Sequence, residues 1–288
     1  VINAKAVAAL RQRVADTSIV DRIAELDLFA ASLPFHEFRE PVAITELGDK
    51  GRNRLLNLDS RYLTGWSHHM AYSMRVRLRS LEPGIVEELA AGRALAPQVL
   101  LRSHLEASAM AALSLETLMK RDVDELSRLI PQTLFGTALF NKSNGDDRVE
   151  AMLSYGSQRT ITIKRAIDAL QRFGNSDGGD ADTSIAYALL CEAAHPNHGG
   201  TRQFVRTSEV DERGEYGWHV TYSEHEAIAS AHTEKLAELL LFSMRSGYAA
   251  TELLRNMHIS ETKRGVVIHG VSEKAARKIW LNVLQKEM

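Results

Sequence analysis

Residues 98–119, QVLLRSHLEASAMAALSLETLM, have apolar or small side chains on nearly every side. Pro97 stands just ahead of them, where the first turn of a helix loses nothing by lacking an N–H. A helix with no polar face belongs inside a bundle. Two charges complicate that placement. Arg102 and Glu106, four residues apart, fall on the stripe Val99, Arg102, Glu106, Ala109, Leu113. One face is therefore expected to carry an ion pair into the core, where each charge needs a partner. His104, almost opposite Arg102 in rotation, is expected to be partly exposed or satisfied. The helix expected to face this one is 183–194, which runs into the polar cluster His195, Pro196, Asn197, His198.

Outward from this stretch the periodicity is mostly helical. Tyr62, Trp66, Met70, Met74, Leu78 and Leu81 recur at intervals of four and three and predict a helix over 60–81. The run SMRVRLRS also alternates with period two, so a strand is the competing reading there. Glu82, Pro83 and Gly84 are expected to end the helix, with a short helix over 85–91. Residues 33–59 hold Pro34, Pro41, Gly48 and Gly51 without a sustained period and read as a linker or irregular wrap. Residues 3–31 read as two short amphipathic helices broken near 16–18, the second capped by Thr17 or Ser18.

Downstream, helices are expected over 122–139, 159–173, 183–194, 224–256 and 272–285, with NKSNGDD and GNSDGGDAD as polar loops. One β element interrupts them. Tyr216, Trp218, Val220 and Tyr222 alternate with polar or small residues after the turn signal DERG, and 204–210 can pair back. The expected fold is mainly α, a helical bundle with one β-hairpin near 202–222. Its expected divisions are an N-terminal helical arm and linker (1–50), a bundle core with the hairpin (51–260) and a C-terminal helix (261–288).

With 288 residues, 44% hydrophobic and 25% charged, the chain has an ordinary globular composition and enough length for a sizeable core. A net charge of -2 gives no global drive toward nucleic acid or an anionic membrane. The single cysteine, Cys191, excludes an internal disulfide and any cysteine-rich zinc module, fits a reducing cytosol, and is expected as a small core residue. The first thirty residues carry charges every few positions, and no eighteen consecutive residues are apolar. A cytoplasmic protein with no membrane partner is the expectation.

Each candidate site has a bland alternative. Arg102 and Glu106 are either a pre-organised ligand-binding pair or a structural ion pair that fixes how the helix docks. Glu192 and His195 form an E-x-x-H, the spacing that puts a carboxylate and an imidazole on one helix face in di-iron bundles. About one such match is expected by chance, and one is found, so no resident metal or cofactor is expected. His195 is also simply a residue at a helix end, favoured there by the helix dipole. Residues 51–80 hold six arginines against one aspartate with Tyr62, Trp66 and Tyr72 among them, a pattern that can bind phosphates and bases. Tyr62 and Trp66 belong to the buried stripe, however, and cannot also be stacking platforms. The expected polar site combines Arg102, Glu106 and His195, and whether it makes the chain an enzyme is left open.

LLRSHLEASA (100–109) and YALLCEAAHPNHGG (187–200), with a hairpin after them, resemble a family of bacterial helical domains of unknown function. In that family a helix with Arg and Glu four apart precedes a helix ending in His-Pro. The resemblance implies Arg102, Glu106, Tyr187, Glu192, His195 and Pro196 as family-like positions and brings no established activity. In outline the fold is also similar to the HEPN-type bundles, many of which cleave RNA in toxin and phage-defence systems with an Arg and a His four to six residues apart. Arg61 with His68, Arg213 with His219 and Arg264 with His269 come near that spacing, but roughly three such matches arise by chance and none lies on the two central helices. What the likeness implies is an RNA-associated defence protein, possible RNA cleavage included. The competing expectation is a non-catalytic helical interaction module that forms homo-oligomers, and a carboxylate-histidine metal enzyme trails both.

Overall fold

The computed structural model describes residues 1–33, 60–93, 95–120, 125–126, 129–130, 132–133, 162–174, 182–195, 205–210, 218–222, 230–262 and 265–269. Among these the chain is mainly helical: α1 (Ala4–Arg11), α2 (Thr17–Ser32), α3 (Ser60–Ala90), α4 (Leu95–Lys120), α5 (Ile163–Gly174), α6 (Thr183–Ala194) and α7 (Ser230–Arg255). Two antiparallel hairpins join β1 (Val205–Val210) to β2 (Trp218–Tyr222) and β3 (His258–Thr262) to β4 (Gly265–His269). Apart from Leu33, the linker expected over 33–59 lies outside the described residues, as does the helix expected over 272–285.

The chain divides into two compact units, each assembled from three segments. The first is Val1–Ser32, Leu78–Leu105 and Asp182–Met244; the second is Leu33–Arg77, Glu106–Ala181 and Arg245–Met288.

In the first unit the break between α1 and α2 covers residues 12–16, just ahead of the expected 16–18, and the cap is Asp16 rather than Thr17 or Ser18. The Asp16 carboxylate accepts from the Ser18 N–H at 2.9 Å, satisfying one of the orphan donors of the first turn. The Asp16 N–H in turn donates to Glu234 of α7 at 3.3 Å. Leu10, Val20, Ile23, Leu78, Ile85, Leu89, Leu101, Leu105 and Leu240 are fully buried here.

The expected stop at Glu82 to Gly84 does not occur, because α3 continues through Pro83 to Ala90. A mid-helix proline costs about 3 kcal/mol. The continued helix carries Ile85, Val86 and Leu89 into the core, and burying each contributes about 1.5–3 kcal/mol. Burial wins. What ends α3 is Gly92, at φ +73, in the left-handed region where a Cβ is penalised. Its N–H reaches the Leu89 carbonyl at 3.0 Å and the Arg93 N–H reaches the Glu88 carbonyl at 3.0 Å, the paired bonds of a Schellman cap. Arg13 occupies the space a Gly92 side chain would need and donates from Nε to the Ala90 carbonyl at 2.7 Å. Gly92→Ala is therefore expected to lower stability by about 1–2 kcal/mol, through the φ penalty together with a displaced Arg13. Urea unfolding checks this, and an unchanged midpoint would show that the cap is dispensable.

In the second unit Leu63, Trp66, Met70, Ala109, Leu118, Leu126, Leu129, Ile130, Leu170, Tyr248 and Leu254 are fully buried. Helix α5 shows the expected period, with Ala166, Ile167, Ala169 and Leu170 on its inner side. Two internal bonds tie α3 into this core: the Trp66 indole N–H donates to Thr133 Oγ1 at 3.0 Å, and the Ser67 hydroxyl donates to the Leu254 carbonyl at 2.6 Å. The Arg-rich stretch is partly consumed internally. Arg75 pairs with Glu252 in the second unit, and in the first Arg79 donates to the Ala30 carbonyl.

The hairpin expected near 202–222 is present, but it is not the sole strand pair, since β3 and β4 form a second. Between β3 and β4 the sequence reads Lys263-Arg264 rather than Asn-Gly or Asp-Gly, so it carries no hairpin-turn signal there.

Two histidines, half-buried His68 and exposed His232, are expected to make stability depend on pH. Burial lowers the pKa of His68 below 6.5, as does the nearby Arg255 charge, while a hydrogen bond to the Arg255 backbone pulls weakly the other way. Burial and Lys235 lower that of His232. A base whose folded pKa is depressed binds fewer protons folded than unfolded, so stability is fully present above 6.5 and is lost as pH falls through the folded pKa. The melting temperature is expected to drop between pH 7 and pH 5.5, and His68→Gln to flatten that slope. A slope unchanged by the substitution removes His68 as its source.

Candidate functional site

Helix α4 is buried almost all round, as its composition requires: Leu101, Leu105, Ala107, Ala109, Ala111, Ala112, Leu113, Leu115 and Leu118 are all inside. Its charged face is phased differently from the expectation. Val99 is 40% exposed and Arg102 and Glu106 are half-buried, so the expected core ion pair is not in the core. The side chain taken fully inside is His104. Its Nε2 lies 3.2 Å from Glu82 Oε1 of α3, and its Nδ1 lies 2.8 Å from Ser243 Oγ of α7. All three residues are fully buried. With Glu82 ionised, a carboxylate can only accept, so Nε2–H donates to it, and in the neutral ring Nδ1 accepts from the serine hydroxyl. The order of groups is that of a hydrolase triad, but no substrate reaches a site with no exposed surface, and a buried network of this kind fixes packing. The sequence gives no local signal for it, because the partners lie 22 and 139 residues away.

Arg102 faces α6 within the first unit. Its guanidinium carbon lies 5.8 Å from the centre of the Tyr187 ring, a cation–π distance. This contact falls near the start of α6. His195 is the C-cap at the other end, eight residues further and about 12 Å along the axis, where its N–H donates to the Cys191 carbonyl at 3.2 Å. The meeting of Arg102 with His195 that an acid-base site required is not made at this contact. His195 and Glu192 are both exposed, and Cys191, expected in the core, is half-buried. Among the described residues no group of three His, Cys, Asp or Glu side chains could hold a metal ion.

Glu106 belongs to the second unit and opens onto a cleft of about 410 Å³. Met74 and Arg77 of α3, Glu106, Ala107 and Met110 of α4, helical Gln132 and Thr133, and Ile163 at the start of α5 line it. The spacing is what places them together: Met74 and Arg77 are three apart, Glu106 and Met110 four apart, so each pair shares one helix face. Arg77 is exposed, Ala107 is buried, and the other lining residues are half-buried. Thr133 is held rigidly, accepting from Trp66 and donating to the Leu129 or Ile130 carbonyl at 2.9 Å. Neither Arg102 nor His195 is among the described lining residues. The sequence singled out Glu106 but not Arg77, Gln132 or Thr133, which come from separate segments with no shared motif.

A half-buried Glu106 changes the energetic expectation. An ion pair sealed in the core would make Glu106→Ala cost about 3 kcal/mol or more, whereas a carboxylate at a cleft wall is worth about 0–1 kcal/mol. Glu106→Ala is expected to unfold within about 1 kcal/mol of the parent in urea, and a larger loss would return the residue to the core.

No helix among the described residues is long and apolar enough to cross a membrane. No protein-family profile, no characterised protein and no solved structure matches the chain.

Proposed function

We propose that this chain is a non-catalytic helical binding protein whose ligand occupies the cleft of the second unit. The observation that carries the reading is that Glu106, an ionisable side chain on an otherwise apolar helix, opens into a cavity of ligand size. At about 410 Å³ the cleft lies within the range of about 300–1,000 Å³ typical of small-molecule sites, with apolar walls and a few convergent polar groups. The test is ligand-observed NMR with a set of small amphiphiles, using Met110→Trp to fill the half-exposed wall. Saturable binding by the parent that the tryptophan abolishes supports the reading, and a parent that binds none of the set ends it.

A second reading, RNA-directed acid-base chemistry of the HEPN kind, is favoured by the exposure of Glu192 and His195 one turn apart at the end of α6. An exposed imidazole beside a carboxylate can move a proton for a bound substrate. Because both side chains are exposed, His195→Ala is expected to leave the fold intact and to abolish any RNA cleavage by the parent. A parent inactive on RNA sinks this reading. Self-association is supported by Ile185 and Leu189 on the same helix, 59% and 64% exposed at i and i+4.

A further inference from the structure

Resting on the self-association reading, we infer that the chain dimerises through α6, which packs antiparallel against α6 of a second copy about a two-fold axis between residues 188 and 189. The exposed positions of α6 and its caps are Asp182, Ile185, Ala188, Leu189, Glu192 and His195. Their spacing of three and four puts them along one helix face. Ile185 and Leu189, 59% and 64% exposed, lie side by side there rather than scattered, the mark of an interaction surface.

The charges select the partner and its direction. Asp182 stands at the start of the face and His195 at its end. The Ser184 hydroxyl donates to Asp182 Oδ1 at 2.6 Å, and the Ser184 and Ile185 N–H groups donate to it at 3.0 and 3.2 Å. These bonds, the Ser184 side chain first among them, hold the carboxyl below the usual carboxylate range, so this end of the face stays negative. All three converge on Oδ1, which leaves Oδ2 to accept from outside. The His195 ring, protonated or neutral, has an N–H to give. A second copy laid parallel sets Asp182 beside Asp182 and aligns the two helix dipoles. Laid antiparallel, it brings the Asp182 end of each copy to the His195 end of the other and opposes the dipoles. The face suits that rotation, as an isologous interface requires: position 182 answers 195, position 185 answers 192, and Ala188 and Leu189 meet their own copies across the axis. Anionic lipid and nucleic acid gain nothing here, because the face carries Asp182 and Glu192 and no lysine or arginine. A helix of twelve residues is about 18 Å long. Two of them bury well under the roughly 800 Å² per partner of a standard interface, so the dimer is transient, with a Kd between about 1 µM and 1 mM.

Sedimentation equilibrium of the full chain is expected to show monomer and dimer exchanging with a Kd in that range. Leu189→Asp, which opposes two carboxylates at the axis, is expected to raise the Kd at least about a hundredfold. Asp182→Asn, which keeps a capping side chain but loses the charge, is expected to raise it severalfold, since each dimer loses two exposed ion pairs. Direction is read by oxidative cross-linking in a Cys191→Ser background. Ile185→Cys mixed with Glu192→Cys is expected to give a disulfide-linked dimer of the two variants, identified by mass, whereas Ile185→Cys alone is not. Apart from Cys191 every substituted position is exposed, and circular dichroism confirms that each variant folds. A linked dimer from Ile185→Cys alone, or none from the mixture, overturns the antiparallel arrangement. A parent that dimerises no better than Leu189→Asp overturns α6 as the interface while leaving self-association in place. A parent monomeric up to about 1 mM overturns both.

Discussion

His104→Leu is expected to lower the unfolding free energy by about 3 kcal/mol, the upper end of the cost of leaving a buried polar group without its hydrogen-bond partner, because the group stranded is a carboxylate. The imidazole lies 3.2 Å from the Glu82 carboxylate and 2.8 Å from the Ser243 hydroxyl, with no exposed surface on any of the three. Leucine fills much of the volume, so the loss reports the polar network rather than a cavity. If the cost comes from a carboxylate left in low dielectric, Glu82→Gln in the same chain recovers part of it, since a neutral amide is cheaper to bury than a carboxylate. Urea unfolding of the single and double variants measures both terms. A single variant within 1 kcal/mol of the parent would mean that the network contributes no more than ordinary packing.

Glu252→Ala is expected to cost a similar amount, about 3–5 kcal/mol. Arg75 is 1% exposed and Glu252 accepts from it, from Arg255 at 2.9 Å and from the Asn256 amide at 3.4 Å. One carboxylate thus balances two guanidiniums. Removing it leaves Arg75 buried beside another cation, with the Tyr72 ring 5.8 Å away as a weaker contact. Replacing both charges together, Arg75→Met with Glu252→Leu, is expected to cost much less, because apolar substitutes of similar volume often match a buried pair. If the double variant is as unstable as the single one, the loss is a packing loss and the charge argument fails.

The helices were legible where periodicity or composition alone decides them. Helix α6 begins and ends where Asp182 and the His195-Pro196 step place it, and α4 is buried because small and apolar residues leave it no wet side. The same property hid its rotation. A helix apolar all round has almost no amphipathic signal to say which ionisable group turns inward, so Arg102, Glu106 and His104 could not be ranked from spacing. The choice rests on Glu82 and Ser243, which meet His104 only in the folded chain. Pro83 misled for a related reason: its local cost is visible in sequence, whereas the burial of Ile85, Val86 and Leu89 that outweighs it is not. The cleft was half legible, since Glu106 stood out as a charge in an apolar run, while Arg77, which also lines it, read as one of six arginines in a basic stretch.

The interleaving of segments has a consequence for how the chain is made. The first unit needs Asp182–Met244 and the second needs Arg245–Met288, so neither is complete until at least residue 244 has left the ribosome. Synthesis at roughly 5–20 residues per second then leaves the early helices waiting on the order of ten seconds or more for their partners. During that wait Leu101, Leu105, Ala109 and Leu113 of α4 have no finished core to enter. Slow, long-range closure of this kind exposes apolar surface to aggregation and to chaperones, and it means that no contiguous fragment ending before residue 244 carries either unit whole.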